Sequence, residues 1–145
     1  MIFLDTHVVV WLYAGELDRL VPFASRAIED HDLLISPMVI LELQYLREIG
    51  RLSVEAPVIV TSLAKTLGLE VCELAFSQVV MEALALEWTR DPFDRVIVAH
   101  AVARNLPLLT KDDTILKQYR KAMWSTPLSG RRKGRGRGET IDLRP

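Results

Sequence analysis

The amino-terminal stretch Ile2-Phe3-Leu4-Asp5-Thr6-His7 indicates the fold, because three apolar residues run directly into an acid and then into a helical pattern. The apolar triplet predicts a buried strand, and residues 6–14, followed by Gly15, predict a helix. The same order recurs at Leu33-Leu34-Ile35, after which Ser36-Pro37 supplies a helix N-cap and a proline at the first helical position. Strands that alternate with helices form βαβ units. We therefore expect an α/β fold with a parallel sheet and helices on both faces.

The rest of the chain continues this alternation of strand and helix patterns. Glycines, prolines and changes of hydrophobic period mark the expected ends of the elements. The further predicted helices cover residues 22–30, 37–49, 55–67, 76–88, 92–104 and 112–121, and the further predicted strands cover residues 69–74 and 107–109.

Composition restricts the class of protein. The chain has 145 residues, half of them hydrophobic and 26% charged, which is typical of one globular domain. The mean hydropathy of +0.18 is high and indicates apolar surface that a partner covers. The longest apolar run has seven residues, whereas a membrane helix needs about 20. Cys72 is the single cysteine, which excludes an internal disulfide and a multi-cysteine zinc site. The amino terminus has no basic stretch and Asp5 interrupts its apolar run, so we expect no signal peptide and a cytoplasmic location.

Charge is distributed unevenly along the chain. Residues 130–145, the basic tail, carry six Lys/Arg and two Asp/Glu, whereas residues 1–129 have a net charge of −5. Glycines alternate with basic residues in the tail, and this pattern favours disorder. We therefore expect one domain at 1–129 and a tail that either contacts nucleic-acid phosphates or only increases solubility.

Two acids stand where predicted strands end. Asp5 follows the first strand, and Asp112 follows Leu108-Leu109-Thr110-Lys111. The carboxyl ends of parallel strands form the ligand crevice of open α/β sheets, so both acids are expected at one edge. The alternative is that each acid is simply a helix N-cap.

Two further acids interrupt apolar helix faces. Glu42 lies in the middle of the stripe formed by Met38, Val39, Leu46 and Ile49, and Asp94 repeats the pattern on a later helix. A carboxylate at such a position is costly unless something compensates its charge. The alternative to a functional site is a buried salt bridge to one of the nearby cations Arg47, Arg95 and Lys111.

One hypothesis accounts for all four acids. If Asp5, Glu42, Asp94 and Asp112 line one pocket, a hard divalent cation such as Mg²⁺ or Mn²⁺ would neutralise their mutual repulsion. Such a centre activates water and stabilises a phosphodiester transition state. The hydroxyls of Thr6 and Thr110 flank the acids and are candidates to orient carboxylates or metal-bound water, or to cap helices.

Other catalytic motifs are absent from the sequence. There is no Walker loop, no glycine-rich dinucleotide fingerprint after a strand and no Gly-x-Ser-x-Gly elbow. His7, His31 and His100 lack zinc-ligand spacing, so they are expected to be surface or packed residues.

The ordered set of motifs resembles PIN-domain proteins, and within them the VapC toxins of type II toxin–antitoxin systems. The resemblance covers about residues 1–126. The motifs that carry it are Leu4-Asp5-Thr6-His7, the Glu42 of Leu41-Glu42-Leu43 after a Ser-Pro helix start, Asp91-Pro92-Phe93-Asp94-Arg95, and Lys111-Asp112.

The resemblance implies a three-layer α/β/α fold and a Mg²⁺- or Mn²⁺-dependent endoribonuclease that cleaves RNA. It implies that the four acids form the catalytic and metal-binding set, and that a homodimer is silenced by a cognate antitoxin. Asp91 is either a residue that supports the metal ligands or the N-cap of the helix that follows, and Arg95 and Lys111 are candidate phosphate contacts. The chain departs from many relatives at Thr89, where they carry His, and in its basic tail.

Three alternatives remain open from the sequence. The first is a housekeeping PIN nuclease in RNA processing that has no antitoxin. The second is a phosphatase or receiver domain, although His7 stands where a haloacid-dehalogenase-like phosphatase has its second Asp and Asp5 lacks an adjacent acid. The third is a non-catalytic RNA- or protein-binding module that uses the tail, against which the complete set of acids argues.

Overall fold

Five short strands and seven helices form residues 1–125, which are the residues that the computed structural model describes. Two helices follow each of the first three strands, and one helix follows the fourth. A short 3₁₀ turn at Leu17–Arg19 precedes the second helix. The strands are β1 Ile2–Leu4, β2 Leu33–Ile35, β3 Glu70–Val71, β4 Leu108–Leu109 and β5 Ala122–Met123. The helices are α1 Thr6–Ala14, α2 Pro22–Asp30, α3 Pro37–Glu48, α4 Ala56–Leu67, α5 Phe76–Leu84, α6 Pro92–Arg104 and α7 Asp113–Gln118.

The strands form one parallel sheet in the order β3-β2-β1-β4-β5. Phe3 in the central strand β1 is in register with Leu34 of β2 and Leu108 of β4. The chain builds outward from β1 in one direction through β2 and β3, and in the other through β4 and β5. The strand order therefore reverses between β1 and β4, and ligands bind at such a switch point in open α/β sheets.

The centre of the sheet is the centre of the core. The three residues of β1 and both residues of β4 have no exposed surface, and helices flank the sheet. The prediction of an α/β fold with a parallel sheet is confirmed. No helix within residues 1–125 is long and apolar enough to cross a membrane.

The ends of several elements differ from the predicted ends. The predicted strand over 69–74 is only Glu70–Val71, and the helix predicted over 76–88 ends at Leu84. The helix predicted over 112–121 ends at Gln118, where Tyr119 adopts an extended backbone and its hydroxyl donates a hydrogen bond to the Leu106 carbonyl. This early end leads into β5, a strand too short to show a hydrophobic period. The basic tail lies outside the described residues.

Candidate active site

Asp5 lies at the carboxyl end of β1, where its carboxylate is held on both oxygens. Its backbone N–H extends the sheet by donating to the Leu109 carbonyl at 3.0 Å. Oδ1 accepts a hydrogen bond from Thr6 N at 2.8 Å, and Oδ2 accepts one from Thr110 Oγ1 at 2.6 Å. The side chain is buried with 3% exposure. Residues at the ends of β1 and β4 therefore fix both its position and its orientation.

Asp112 reaches the same edge of the sheet through Thr110. Its backbone N–H donates to Thr110 Oγ1 at 3.0 Å, and its Oδ1 accepts from Ile115 N at 2.9 Å. The second bond caps α7, and Asp5 likewise precedes α1 as its N-cap. Both acids therefore do act as helix caps, while also contributing to the cavity described below. Thr110 joins them because its hydroxyl donates to one and accepts from the other.

Glu42 and Asp94 come from α3 and α6, and the start of α3 is connected to the second half of α6 through the core. Ser36, the N-cap of α3, and His100 of α6 are joined by a buried hydrogen bond of 2.8 Å between Oγ and Nδ1. Ser36 Oγ also accepts from Met38 N at 3.1 Å. This contact fixes the helix that carries Glu42 against the helix that carries Asp94.

The three cations proposed as salt-bridge partners are engaged elsewhere. Arg47 Nη2 lies 3.5 Å from Glu55 Oε1. Arg95 donates to the carbonyl oxygens of Ala83 at 2.8 Å and Leu84 at 3.3 Å. Lys111 Nζ lies 6.0 Å from the centre of the Trp11 ring. Within residues 1–125, none of them forms an ion pair with Glu42 or Asp94.

Burial and the neighbouring acids raise the pKa values of Asp94 and Glu42. The pKa of Asp94 rises to about 7, first because the group is buried and then because Asp5, Asp91, Asp112 and Glu42 repel its negative charge. Burial also raises the pKa of Glu42, repulsion from Asp5 and Asp91 adds to the effect, and the nearby Thr6 hydroxyl opposes it. These shifts indicate one shared region of negative potential.

The four acids line one cavity of about 340 Å³. Thr6 also lines it, whereas Asp91, Arg95, Thr110 and Lys111 do not. The residues that line the cavity are Asp5, Thr6, His7, Val10, Trp11, Glu42, Leu46, Arg51, Leu52, Asp94 and Asp112.

The donor set of this cavity fits a hard cation. Four carboxylates supply the oxygen ligands that Mg²⁺ and Mn²⁺ prefer. Such an ion would neutralise their negative charges, which repel one another in the metal-free cavity. The buried Thr6 Oγ1 has no hydrogen-bond partner among the described residues. No three His, Cys, Asp or Glu side chains in residues 1–125 are arranged to hold an ion. The fit of a hard cation therefore rests on the chemistry of the four carboxylates and on their location in one cavity.

Asp91 acts as a helix cap in the structure. Its Oδ1 accepts hydrogen bonds from Phe93 N at 2.8 Å and Asp94 N at 3.3 Å, and its own N–H donates to Thr89 Oγ1 at 3.2 Å. The carboxylate thereby fixes the first turn of α6, next to Asp94. Its charge also contributes to the raised pKa of Asp94.

Among the polar and aromatic residues that line the cavity, three were not predicted as site residues: His7, Trp11 and Arg51. His7 Nε2 accepts a hydrogen bond from Lys111 N at 2.9 Å, which places the ring proton on Nδ1, 3.6 Å from Asp5 Oδ2. His7 and Trp11 are one helical turn apart on α1, with ring centroids 5.0 Å apart. This spacing, directly after Asp5, is the sequence pattern that could have indicated His7 and Trp11 as site residues. No periodic pattern indicates Arg51, because it follows the end of α3.

Comparisons with known proteins agree with this architecture. The PIN domain family matches residues 2–122. "Ribonuclease VapC22" of Mycobacterium tuberculosis is 32% identical over 117 residues, which cover 77% of this chain and 86% of that protein.

Two solved structures share the fold. A toxin–antitoxin complex from Klebsiella pneumoniae has a TM-score of 0.60 at 16% identity and covers 85% of this chain and 96% of its own. VapBC2 from Rickettsia felis, bound to a DNA fragment from its promoter, has a TM-score of 0.59 at 20% identity and covers 81% and 92%. With its acids at the switch point of a parallel sheet and this family match over most of its length, the chain belongs to the PIN-domain family.

Proposed function

We propose that this protein is a metal-dependent endoribonuclease and the toxin of a type II toxin–antitoxin pair. The observation that carries the proposal is that four carboxylates from four segments line one cavity, where burial and then repulsion from neighbouring acids raise the pKa of Asp94 to about 7. A purely structural role does not account for this charge, because no described cation pairs with Glu42 or Asp94. The likeness to "Ribonuclease VapC22" supports RNA as the substrate.

Each acid has a role in this proposal. Asp5, Asp94 and Asp112 would bind Mg²⁺ or Mn²⁺, and Glu42 would bind through water or position the attacking water. A bound divalent ion supplies a Lewis acid that lowers the pKa of water and stabilises the phosphodiester transition state. Thr110 holds Asp5 and Asp112 in fixed orientation through its hydroxyl. Thr6 contributes a buried hydroxyl near Glu42.

The first prediction is that RNA cleavage requires a divalent ion. Purified protein incubated with total RNA should produce new 5′ ends with Mg²⁺ and none with EDTA. Asp94→Asn should reduce cleavage by orders of magnitude, because it removes one ligand charge. Asp113→Asn is the matched control, since Asp113 is exposed on α7 and does not line the cavity. Undiminished cleavage in EDTA would refute the metal-dependent mechanism.

The proposed partners are a cognate antitoxin and a second copy of the chain. The structural neighbours include toxin–antitoxin complexes, which supports the antitoxin. A small upstream reading frame whose product suppresses RNA cleavage would separate a toxin from a housekeeping nuclease. Light scattering after size exclusion tests the homodimer, which would have twice the 16.4 kDa mass of one chain. We also propose that the protein acts in the cytoplasm.

A further inference from the structure

Arg51 is the only lysine or arginine among the described residues that line the acidic cavity. Every other ionised side chain there is a carboxylate, and one divalent ion neutralises only half of the charge of four. A phosphodiester strand is itself negative, so its approach to the cavity is opposed wherever that charge is uncompensated. A fixed positive charge on the cavity wall reduces this barrier.

The end of α3 determines where Arg51 stands. Gly50 follows the helix with a φ of +81° and donates its N–H to the Arg47 carbonyl at 3.0 Å. Arg51 N then donates to the Leu46 carbonyl at 2.8 Å, and Leu52 N donates to the same oxygen at 3.2 Å. Leu46 and Leu52 both line the cavity. The turn therefore places Arg51 at the cavity on the same segment that carries Glu42.

The Arg51 side chain has no partner within residues 1–125. Its guanidinium makes no hydrogen bond or ion pair there, and the residue is exposed. By contrast, Arg47 pairs with Glu55, and Arg95 donates to the carbonyls at the end of α5. An arginine that stays ionised, lines an acidic cavity and has no described partner has its full set of donors available to a ligand.

We propose that Arg51 binds a phosphate of the RNA strand beside the cleaved bond, an inference that rests on the proposed ribonuclease function. The guanidinium fork matches phosphate oxygens and donates charge-assisted hydrogen bonds to them. Arg51 takes the role that the sequence suggested for Arg95, whose guanidinium is engaged with Ala83 and Leu84. It acts as a binding residue that holds the strand over the carboxylates.

The test measures RNA binding separately from cleavage. A short fluorescein-labelled single-stranded RNA of mixed sequence is titrated with full-length Asp94→Asn protein in Mg²⁺, across a series of KCl concentrations. Adding Arg51→Gln should weaken binding about tenfold and reduce the slope of log K against log salt by about 0.7. Arg51→Lys keeps the charge and should retain the slope. Arg26→Gln is the matched control, because Arg26 is exposed on α2 and does not line the cavity.

Cleavage kinetics and melting complete the design. In the otherwise wild-type chain, Arg51→Gln should raise KM about tenfold and leave kcat within about twofold, since a strand contact of this kind stabilises ground and transition states equally. Its melting temperature in Mg²⁺ should stay within about 2 °C of wild type.

Each result has one meaning. If Arg51→Gln and Arg26→Gln bind RNA equally well, Arg51 does not contact the strand, although the proposed function stands. A larger fall in melting temperature would make Arg51 a structural residue and overturn the inference. If the Asp94→Asn protein binds no RNA and the wild-type chain cuts none, the proposed function itself fails.

Discussion

Asp94 is the residue at which the two interpretations of a buried acid predict opposite effects. If its role is a structural ion pair, Asp94→Asn should cost about 3–5 kcal/mol of the free energy of unfolding. If it belongs to a metal pocket, its charge is repelled in the metal-free protein, as the pKa of about 7 indicates. Removing that charge then leaves the metal-free protein as stable as wild type or more stable. The sign of the change in melting temperature of the metal-free protein therefore distinguishes the structural interpretation from the metal-pocket interpretation.

The pH dependence of the metal-free protein gives a second readout for Asp94. Its pKa is raised from 3.8 to about 7 in the folded state, so between these values the folded protein binds a proton that the unfolded chain does not. The stabilisation is fully present below the unfolded pKa and is lost as the pH rises to about 7. Asp94→Asn should abolish this loss, measured as the difference between the two melting curves in EDTA. A variant that melts well below wild type at pH 8 would favour the structural role.

The residues of the site were predictable to different degrees, for a physical reason. Glu42 and Asp94 interrupt an apolar helix face, and Asp5 and Asp112 follow strands. Each acid therefore stands out from the local sequence pattern around it. Arg51 does not stand out from the sequence pattern around it, because basic residues are common after the end of a helix. Its importance comes from its tertiary position at the cavity, which no spacing in the sequence reveals.

At the scale of elements, the Ser36–His100 contact links the helices that carry Glu42 and Asp94. A double-mutant cycle with Ser36→Ala, His100→Phe and both together tests this link. We expect a coupling of about 0.5–3 kcal/mol, because either substitution removes the same buried hydrogen bond. His31→Phe combined with Ser36→Ala is the control, since His31 is exposed. Strictly additive free energies of unfolding would show that the contact does not couple α3 to α6.

His100 also gives this link a pH dependence. Burial lowers the pKa of His100 below 6.5, while the Val96 carbonyl acts in the opposite direction. The folded state therefore binds fewer protons than the unfolded chain at acidic pH, and stability present above pH 6.5 is lost as the pH falls. His100→Phe should lose less stability than wild type on acidification. Asp94 contributes equally to both proteins, so their difference isolates His100.

The elements that were predicted well have strong local signals. In α3 and α6, an N-cap side chain and a following proline mark the start, and both begin where predicted. The start of β5 was not predictable, because Ala122–Met123 has no hydrophobic period and is defined only by pairing with β4. Local chemistry thus determines where helices begin, whereas short edge strands depend on long-range pairing.

At the scale of the whole molecule, charge is divided between an acidic body and a basic tail. Residues 1–129 carry a net charge of −5, and they contain the carboxylates of the cavity. RNA approaching the cavity is therefore repelled by much of the chain around it. Arg51 compensates at the cavity itself, while the tail offers five closely spaced cations between residues 131 and 137.

The last prediction is that these five cations bind RNA phosphates without affecting the metal site. Replacing Arg131, Arg132, Lys133, Arg135 and Arg137 by Gln in the full-length Asp94→Asn protein should weaken RNA binding, more at low salt than at high. If all five contact phosphates, the slope of log K against log salt should fall by about 3.5, since each contact with a single strand contributes about 0.7. In the otherwise wild-type chain, the rise in melting temperature with Mg²⁺ should be unchanged by the five substitutions, because it reports only ion binding to the folded body. An unchanged salt slope would mean that the tail does not touch RNA and leaves Arg51 as the contact to examine.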